Sequence, residues 1–374
     1  MSTSVELPRW ADIGVIPRIN LAAALVVAGI VIAIVGENPA EAILVMIKGA
    51  FIHEGSLGYT LHYATNFIFT GLAVAVAFHA MLFNIGGEGQ AYLGGLGAAL
   101  VCLLADNSLP SLIVLPLAIA AAMGMGAAWG IIPGYLQARR GSHIVITTIM
   151  FNFLAASIMI WLLAGALQAP GQMLPETRSF GETAALPQIH DIFNGIGIPM
   201  ARSPLNLSFV VALLACVGVW ALIWRSRLGH AIRVTGHSVA AAEYAGIPVS
   251  RIIIITMAIS GALAGMMAVN EVLGVQHRLV LNFTSGYGFT GIAVAMMGRN
   301  HPFGIVLASL LFGALHQGGT ELDFEFSRIT REMVLLIQGL VILFSGGLAY
   351  MFNKPLAHLL SRILSRHRGA GRSS

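Results

Sequence analysis

Apolar runs of about 20 residues recur along almost the whole chain, and no other feature limits its fold as strongly. A run of that length, largely free of charge, is what an α-helix needs to cross a hydrocarbon layer of about 30 Å. Inside that layer every backbone N–H and C=O must be satisfied by the protein itself, which leaves helices and closed barrels. A barrel would show alternating strands of roughly 10 residues, and this sequence does not. The chain is expected to be an all-α polytopic membrane protein. Its 374 residues are 57% hydrophobic and 10% charged, whereas soluble domains average about 25% charged.

Ten such runs stand out, at about 19–36, 60–80, 88–105, 110–135, 144–164, 205–224, 252–271, 285–298, 303–317 and 332–351. The excess of Lys and Arg in cytoplasmic loops orients them. With both termini cytoplasmic, the inner face gathers Arg9, Arg18, Arg139, Arg140, Arg225, Arg227, Arg233, Arg251, Arg299, Lys354, Arg362, Arg366, Arg368 and Arg372. The outer face then keeps Lys48, Arg178, Arg202, Arg278, Arg328 and Arg331. Trp129, Trp161, Trp220 and Trp224 fall near expected span ends, where amphipathic rings settle.

The whole chain, 1–374, reads as one membrane domain. It has a cytoplasmic N-terminal segment 1–18, an extracytoplasmic loop 165–204 rich in Pro and Gly, a cytoplasmic loop 225–251 and a basic cytoplasmic tail 352–374. The run 285–298 is too short to cross untilted and reads as a half-helix. Glu6 and Asp12 stand where a cleavable signal would be basic, so none is expected. The net charge of +4 follows from this topology and is no sign of nucleic-acid binding.

Several chemistries are excluded by motif. A P-loop needs Gly-Lys followed by Ser or Thr, but the only lysines are Lys48, after Ile47, and Lys354, after Asn353. There is no His-Glu-x-x-His zinc spacing and no Gly-x-Ser-x-Gly elbow. No catalytic residues, metal site or bound cofactor are expected. Cys102 and Cys216 both lie in apolar runs and read as packing residues.

The densest polar cluster against a span is Phe83-Asn84-Ile85-Gly86-Gly87-Glu88-Gly89-Gln90. Its glycines permit a helix break, and a break frees backbone groups that need partners or a water-filled cavity. Asn84, Glu88 and Gln90 either cap those broken ends or line a substrate path. Asn152, Asn270 and Glu271 are further pathway candidates, with Asn282 nearby. Phe283 and Tyr287, along with Phe151, Phe153 and Phe289, could stack on a flat ring, although aromatic residues in spans more often only pack. Residues 83–100 and 283–298 echo one another as Gly-rich runs, a pattern of interrupted helices on transport pathways. Ser142 is placed to cap the start of the 144–164 run.

The loop 225–251 is polar, Arg-bearing and Ala-rich between two spans. Ser238 can cap one short helix from Val239, and Gly246 followed by Pro248 stops it. Ala240, Ala241, Ala242 and Ala245 would let a partner approach closely, with Glu243 as one charge, Tyr244 as an aromatic anchor, and Gly246 and Ile247 closing the surface. So short a helix needs another surface to hold it.

Four segments in order carry a family resemblance: FNIGGEGQ at 83–90, GSHIVITTIMFNFLA at 141–155, GHSVAAAEYAGIPVSR at 236–251 and GIAVAMMGRNHPFGIVLASLLFGALHQGG at 291–319. With them the chain resembles the permease subunits of ATP-binding-cassette (ABC) importers of the ribose and branched-chain amino acid class, nucleoside and simple-sugar subfamily. The resemblance implies a non-enzymatic subunit that carries nucleosides or related small polar solutes by alternating access across a bacterial inner membrane. It implies a cytoplasmic ATPase that uses ATP and grips Ala240–Ile247. It also implies a second permease, identical or sister, and an extracytoplasmic solute-binding protein. A monosaccharide permease is the alternative within the class. An ion-coupled secondary transporter, with Glu88 and Glu271 as proton sites, is the alternative outside it.

Overall fold

A computed structural model describes residues 16–106 and 108–343. Among them the regular structure is helical, apart from two isolated bridges, Glu176 with Val280 and Gln188 with Asn206. The helices are α1 (Ile16–Val35), α2 (Pro39–Phe51), α3 (Ser56–His79), α4 (Gly87–Ala105), α5 (Ser111–Arg140), α6 (Ile144–Leu163) and α7 (Ile189–Gly195). They continue as α8 (Ser208–Trp220), α9 (Arg227–His237), α10 (Val239–Tyr244), α11 (Val249–Ala268), α12 (Tyr287–Met297), α13 (Pro302–Glu325) and α14 (Arg331–Ile342). Two of them run on into wider π-type turns, α8 through Ala221–Arg225 and α11 through Val269–Gln276.

Among the described residues, seven helices are long and apolar enough to cross a membrane: α3, α4, α5, α6, α13, and α8 and α11 with their extensions. Val26–Val35 and α2 pass that test only as a pair, bent by 115°. Each expected run falls on a helix, though not every one is a span. The run 285–298 becomes α12, whose 11 residues rise only about 16 Å, half of the layer. The connection that carries Lys48, expected as an outer loop, is helix α2. The loop 165–204 holds α7 and a single 3-10 turn, Glu182–Ala184. The expected N-terminal segment 1–18, the basic tail 352–374 and the end of the last run lie wholly or largely outside the described residues.

The fold divides into two compact units, one within 1–49 and 318–374 and the other 50–317. In the first, α1 packs with α14 and Gly318 rests on the Met46 backbone. The second is a bundle around α3, which is buried along most of its length. Thr65 and Thr70 of α3 donate their hydroxyls to the Leu61 and Asn66 carbonyls one turn back, so their polar atoms stay satisfied in an apolar setting.

Beside α3, α5 and α11 approach backbone to backbone. A Cβ added at Gly126 would overlap the Gly261 carbonyl, one at Gly130 would press on the Met257 carbonyl, and one at Gly265 would overlap the Ala122 carbonyl. Between membrane helices, where burial from water supplies no drive, small residues every fourth position gain close packing instead.

Candidate functional site

The Gly-rich run after α3 is where the bundle's helices break. α3 ends as the Leu82 amide bonds the Ala77 carbonyl (3.1 Å), with Met81 in the left-handed region (φ 54°). The chain then runs without helix to Gly86, and side chains take over its hydrogen bonds. Asn84 Oδ1 accepts the Gly86 amide (2.8 Å), while Asn84 Nδ2 donates to Gln90 Oε1 (3.0 Å) and Ser260 Oγ (2.8 Å). Asn152 accepts the Gly89 amide (2.9 Å) and donates to the Ile85 carbonyl (2.9 Å). Asn84, Gln90 and Asn152 are all buried. Asn84 and Asn152 thereby hold broken backbone, and Gln90 braces Asn84.

Glu88 does the same for a second helix. One carboxylate oxygen accepts the Gly286 amide (3.0 Å) and the other the Gly288 amide (2.8 Å). The amino ends of α4 and α12 therefore meet, and one acidic side chain sits where two helices each present partial positive charge. A Cβ at Gly288 would overlap the Glu88 nitrogen. Upstream of α12, Asn282 accepts the Tyr92 hydroxyl (2.8 Å), and the Phe283 ring lies on Gly95 and edge-on to Tyr92 (5.6 Å between centroids). The two Gly-rich runs that echo one another in sequence thus touch in space.

A second polar cluster lies where α11 widens. Glu271 Oε1 accepts Asn66 Nδ2 (2.6 Å) and His62 Nε2 (3.2 Å). Asn270 donates to Asn66 Oδ1 (2.7 Å) and accepts Asn206 Nδ2 (2.9 Å) and Ser208 Oγ (2.6 Å). All six residues are buried. Sequence reasoning found Asn270 and Glu271 but missed His62, Asn66, Asn206 and Ser208. A polar face on a helix read as apolar was the available signal.

Aromatic rings gather beside the start of α12. Tyr63 and His316 lie 4.1 Å apart at 33°, Tyr287 is 5.8 Å from His316, and Phe67 is 5.5 Å from Tyr287. Tyr63 and His316 are half-buried. Of the other expected stacking rings, Phe153 and Phe289 are exposed, and Phe151 meets Trp129 edge-on at 5.2 Å.

The expected short helix between two spans is α10. Ser238 caps it by accepting the Ala241 amide (3.2 Å). It ends at Tyr244, and Gly246 (φ 75°) turns the chain so that the Ile247 amide reaches the Ala242 carbonyl (2.9 Å). Ala242 faces inward; Ala240, Ala241, Glu243, Ala245 and Gly246 are exposed, Ile247 is partly so, and Tyr244 is 97% exposed. By contrast, Ser142 does not cap α6. His143 holds that position, and the Ser142 hydroxyl accepts from Thr147 instead (3.3 Å).

At the other end, the 165–204 segment is pinned. Arg178 donates to both oxygens of buried Asp106 (2.7 and 3.0 Å), which holds its guanidinium pKa above the usual value. Asp106 also accepts the Gly181 amide (2.7 Å), and Arg278 pairs with Glu176 (2.8 Å). His277 beside this patch has its pKa lowered by burial.

Apolar helices long enough to span a membrane, Gly-rich breaks that meet at their amino ends and an exposed capped helix between two spans fit a membrane transport subunit. Residues 56–346 match the family described as branched-chain amino acid transport system / permease component, and the chain belongs to that family. It is a transmembrane permease subunit of an ABC importer, a non-enzymatic component of a transport system. It is 36% identical over 332 residues to a guanosine ABC transporter permease of Bacillus subtilis, covering 88% of this chain and 92% of the relative. It is 33% identical over 339 residues to a glucose ABC transporter permease of Haloferax volcanii, covering 90% and 88%. It is 31% identical over 333 residues to a nucleoside ABC transporter permease of Lactococcus lactis, covering 88% and 89%.

Proposed function

We propose that this chain imports nucleosides across a bacterial inner membrane, with both termini in the cytoplasm, by alternating access driven by a separate ATPase. The similarity to the guanosine permease over nearly all of both chains carries the substrate reading. The half-buried rings of Tyr63 and His316, beside Tyr287, support it, because a flat base gains from stacking on aromatic faces.

α10 is the element the ATPase would grip. Its outward residues Ala240, Ala241, Glu243, Tyr244, Ala245 and Gly246, with Ile247, offer a close-approach surface around one aromatic anchor. ATP would be used by that partner alone. The 165–204 segment would receive a solute-binding protein, and a second permease, identical or sister, would complete the path. Asn84, Glu88, Gln90, Asn152 and Phe283 act in this reading by holding the broken helices. Asn270, Glu271 and Tyr287 lie where movement would open a polar, aromatic route.

A monosaccharide substrate is favoured by one observation, the similarity to the glucose permease. Reconstituting the chain with its ATPase and solute-binding protein and measuring labelled guanosine uptake tests both. ATP-dependent uptake that excess unlabelled nucleoside blocks and glucose does not is the expected result. Uptake blocked by glucose moves the substrate to sugars. Uptake that follows an ion gradient without the ATPase overturns the reading.

A further inference from the structure

Trp224 lies in the widened turn that prolongs α8, two residues before Ser226, whose hydroxyl caps α9 by accepting the Gly229 amide (2.9 Å). Its indole stands between two imidazoles. The His79 ring meets it edge-on at 5.1 Å, and the His301 ring at 5.0 Å and 52°. These two rings belong to different parts of the bundle. His79 is the last residue of α3, and His301 lies in the turn between α12 and α13. His79 Nε2 also stands 3.1 Å from the Asn300 carbonyl, which ties those two parts to one another.

α9 presses on the same place from its far end. A Cβ at Gly236 would overlap the His79 carbonyl and lie 3.0 Å from the Ala80 Cα. Both ends of the α9 segment, Trp224 before it and Gly236 within its last turn, therefore rest on the carboxyl end of α3. The α12–α13 turn is itself fixed, with Arg299 and Asn300 in the left-handed region (φ 53° and 55°) and the Asn300 amide bonded to the Ala295 carbonyl (2.8 Å).

We infer that Trp224 is the positioning residue that passes displacement of α9 and α10 to α3 and α12 at once, through His79 and His301. The inference rests on the reading of α10 as the ATPase-docking helix. α3 carries Asn66, Tyr63 and Phe67, and α12 begins at the Glu88 contact and carries Tyr287. A shift at the docking surface meets both elements of the polar and aromatic region at this indole, with Gly236 a further contact on α3. Rings in contact pass such a shift on, whereas an alanine would leave slack on both sides.

The test uses the complete complex in proteoliposomes with the solute-binding protein, and reads ATP hydrolysis and labelled guanosine uptake in one sample. In Trp224→Ala the ATPase is expected to co-purify in the wild-type ratio and hydrolyse ATP, while uptake per ATP falls by about tenfold, the size of a typical coupling between sites. Trp224→Phe, which keeps a ring between the imidazoles, is expected to recover most of the ratio. Unchanged uptake per ATP in Trp224→Ala, or a parallel fall of hydrolysis and uptake, overturns the inference and leaves Trp224 as a packing residue. Should Trp224→Ala fail to reach the membrane, His301→Ala decides on the same ratio, because His301 is exposed and its loss leaves no buried void. If the wild-type chain brings down no ATPase, it is the docking reading that has failed, whatever the variants do.

Discussion

Glu88 and Gly288 stand 200 residues apart in sequence, and the carboxylate of one accepts the amide of the other at 2.8 Å. The pair joins α4 to α12, neither of which is continued by helix at its amino end, and it satisfies backbone donors that an apolar layer would leave bare.

Glu88→Ala removes the bonds to the Gly286 and Gly288 amides at the junction of two helices, a loss of about 2–3 kcal/mol. Initial guanosine uptake is expected to fall at least about tenfold at equal membrane abundance. Glu54→Ala, in the exposed turn between α2 and α3, is expected to leave uptake near wild type. Equal effects of the two variants, measured side by side in cells, would remove Glu88 from the transport mechanism.

Gly261→Ala places a methyl group on the Gly126 carbonyl at the α5–α11 seam. Overpacking of this kind costs about 1–3 kcal/mol, so the melting temperature of the detergent-purified protein is expected to drop by several degrees. Gly124→Ala, whose added Cβ meets nothing within 4 Å, is the control and is expected to melt as wild type. Matching melts would mean the seam yields more easily than its backbone contacts indicate.

Arg178→Ala takes the guanidinium from both oxygens of buried Asp106. The penalty lies below the roughly 3–5 kcal/mol of a fully buried pair, because the arginine side chain is 42% exposed. Limited proteolysis between Gly165 and Pro204 is expected to speed up while the bundle stays intact. Arg178→Lys is expected to protect only in part, since an ammonium cannot bridge both carboxylate oxygens as the guanidinium does. Unchanged cleavage of Arg178→Ala would show that the segment is held elsewhere.

Tyr244→Ala truncates the side chain that stands furthest out on α10, and Ala245→Arg adds bulk beside it. Each is expected to reduce recovery of the ATPase with the tagged chain and to abolish ATP-driven uptake, without changing the abundance or the melt of the permease. Wild-type recovery and uptake in both would move the docking surface away from α10.

Much of this architecture is legible in the letters. Apolar runs placed most of the crossing helices to within a few residues, because composition alone satisfies the bilayer. The stop at Gly246 and the cap at Ser238 are local chemistry and were readable as such. α2 was not, because its 13 residues carry Glu41 and Lys48 and are too few to span alone. The polar residues Asn84, Glu88 and Asn270 drew attention, but their partners did not. Ser260, Gly288 and Asn66 lie 176 to 204 residues away, and a single sequence does not show which distant side chains meet. The spacing of Gly126, Gly130 and Gly134 against Gly261 and Gly265 was present all along. Glycine read as a helix breaker concealed glycine as a contact surface.

The length of α12 also sets the order in which the protein can be assembled. A segment rising about 16 Å has too little apolar length to be held in a bilayer as a span of its own. It gains a place only against neighbours already present, α3, where Gly291 rests on Thr70, and α4, through Glu88. At translation rates of about 5–20 residues per second, Glu88 emerges roughly 10–40 s before the amides it binds. For that interval the amino end of α4 is an open junction, and closing it is a late step in the biogenesis of the subunit.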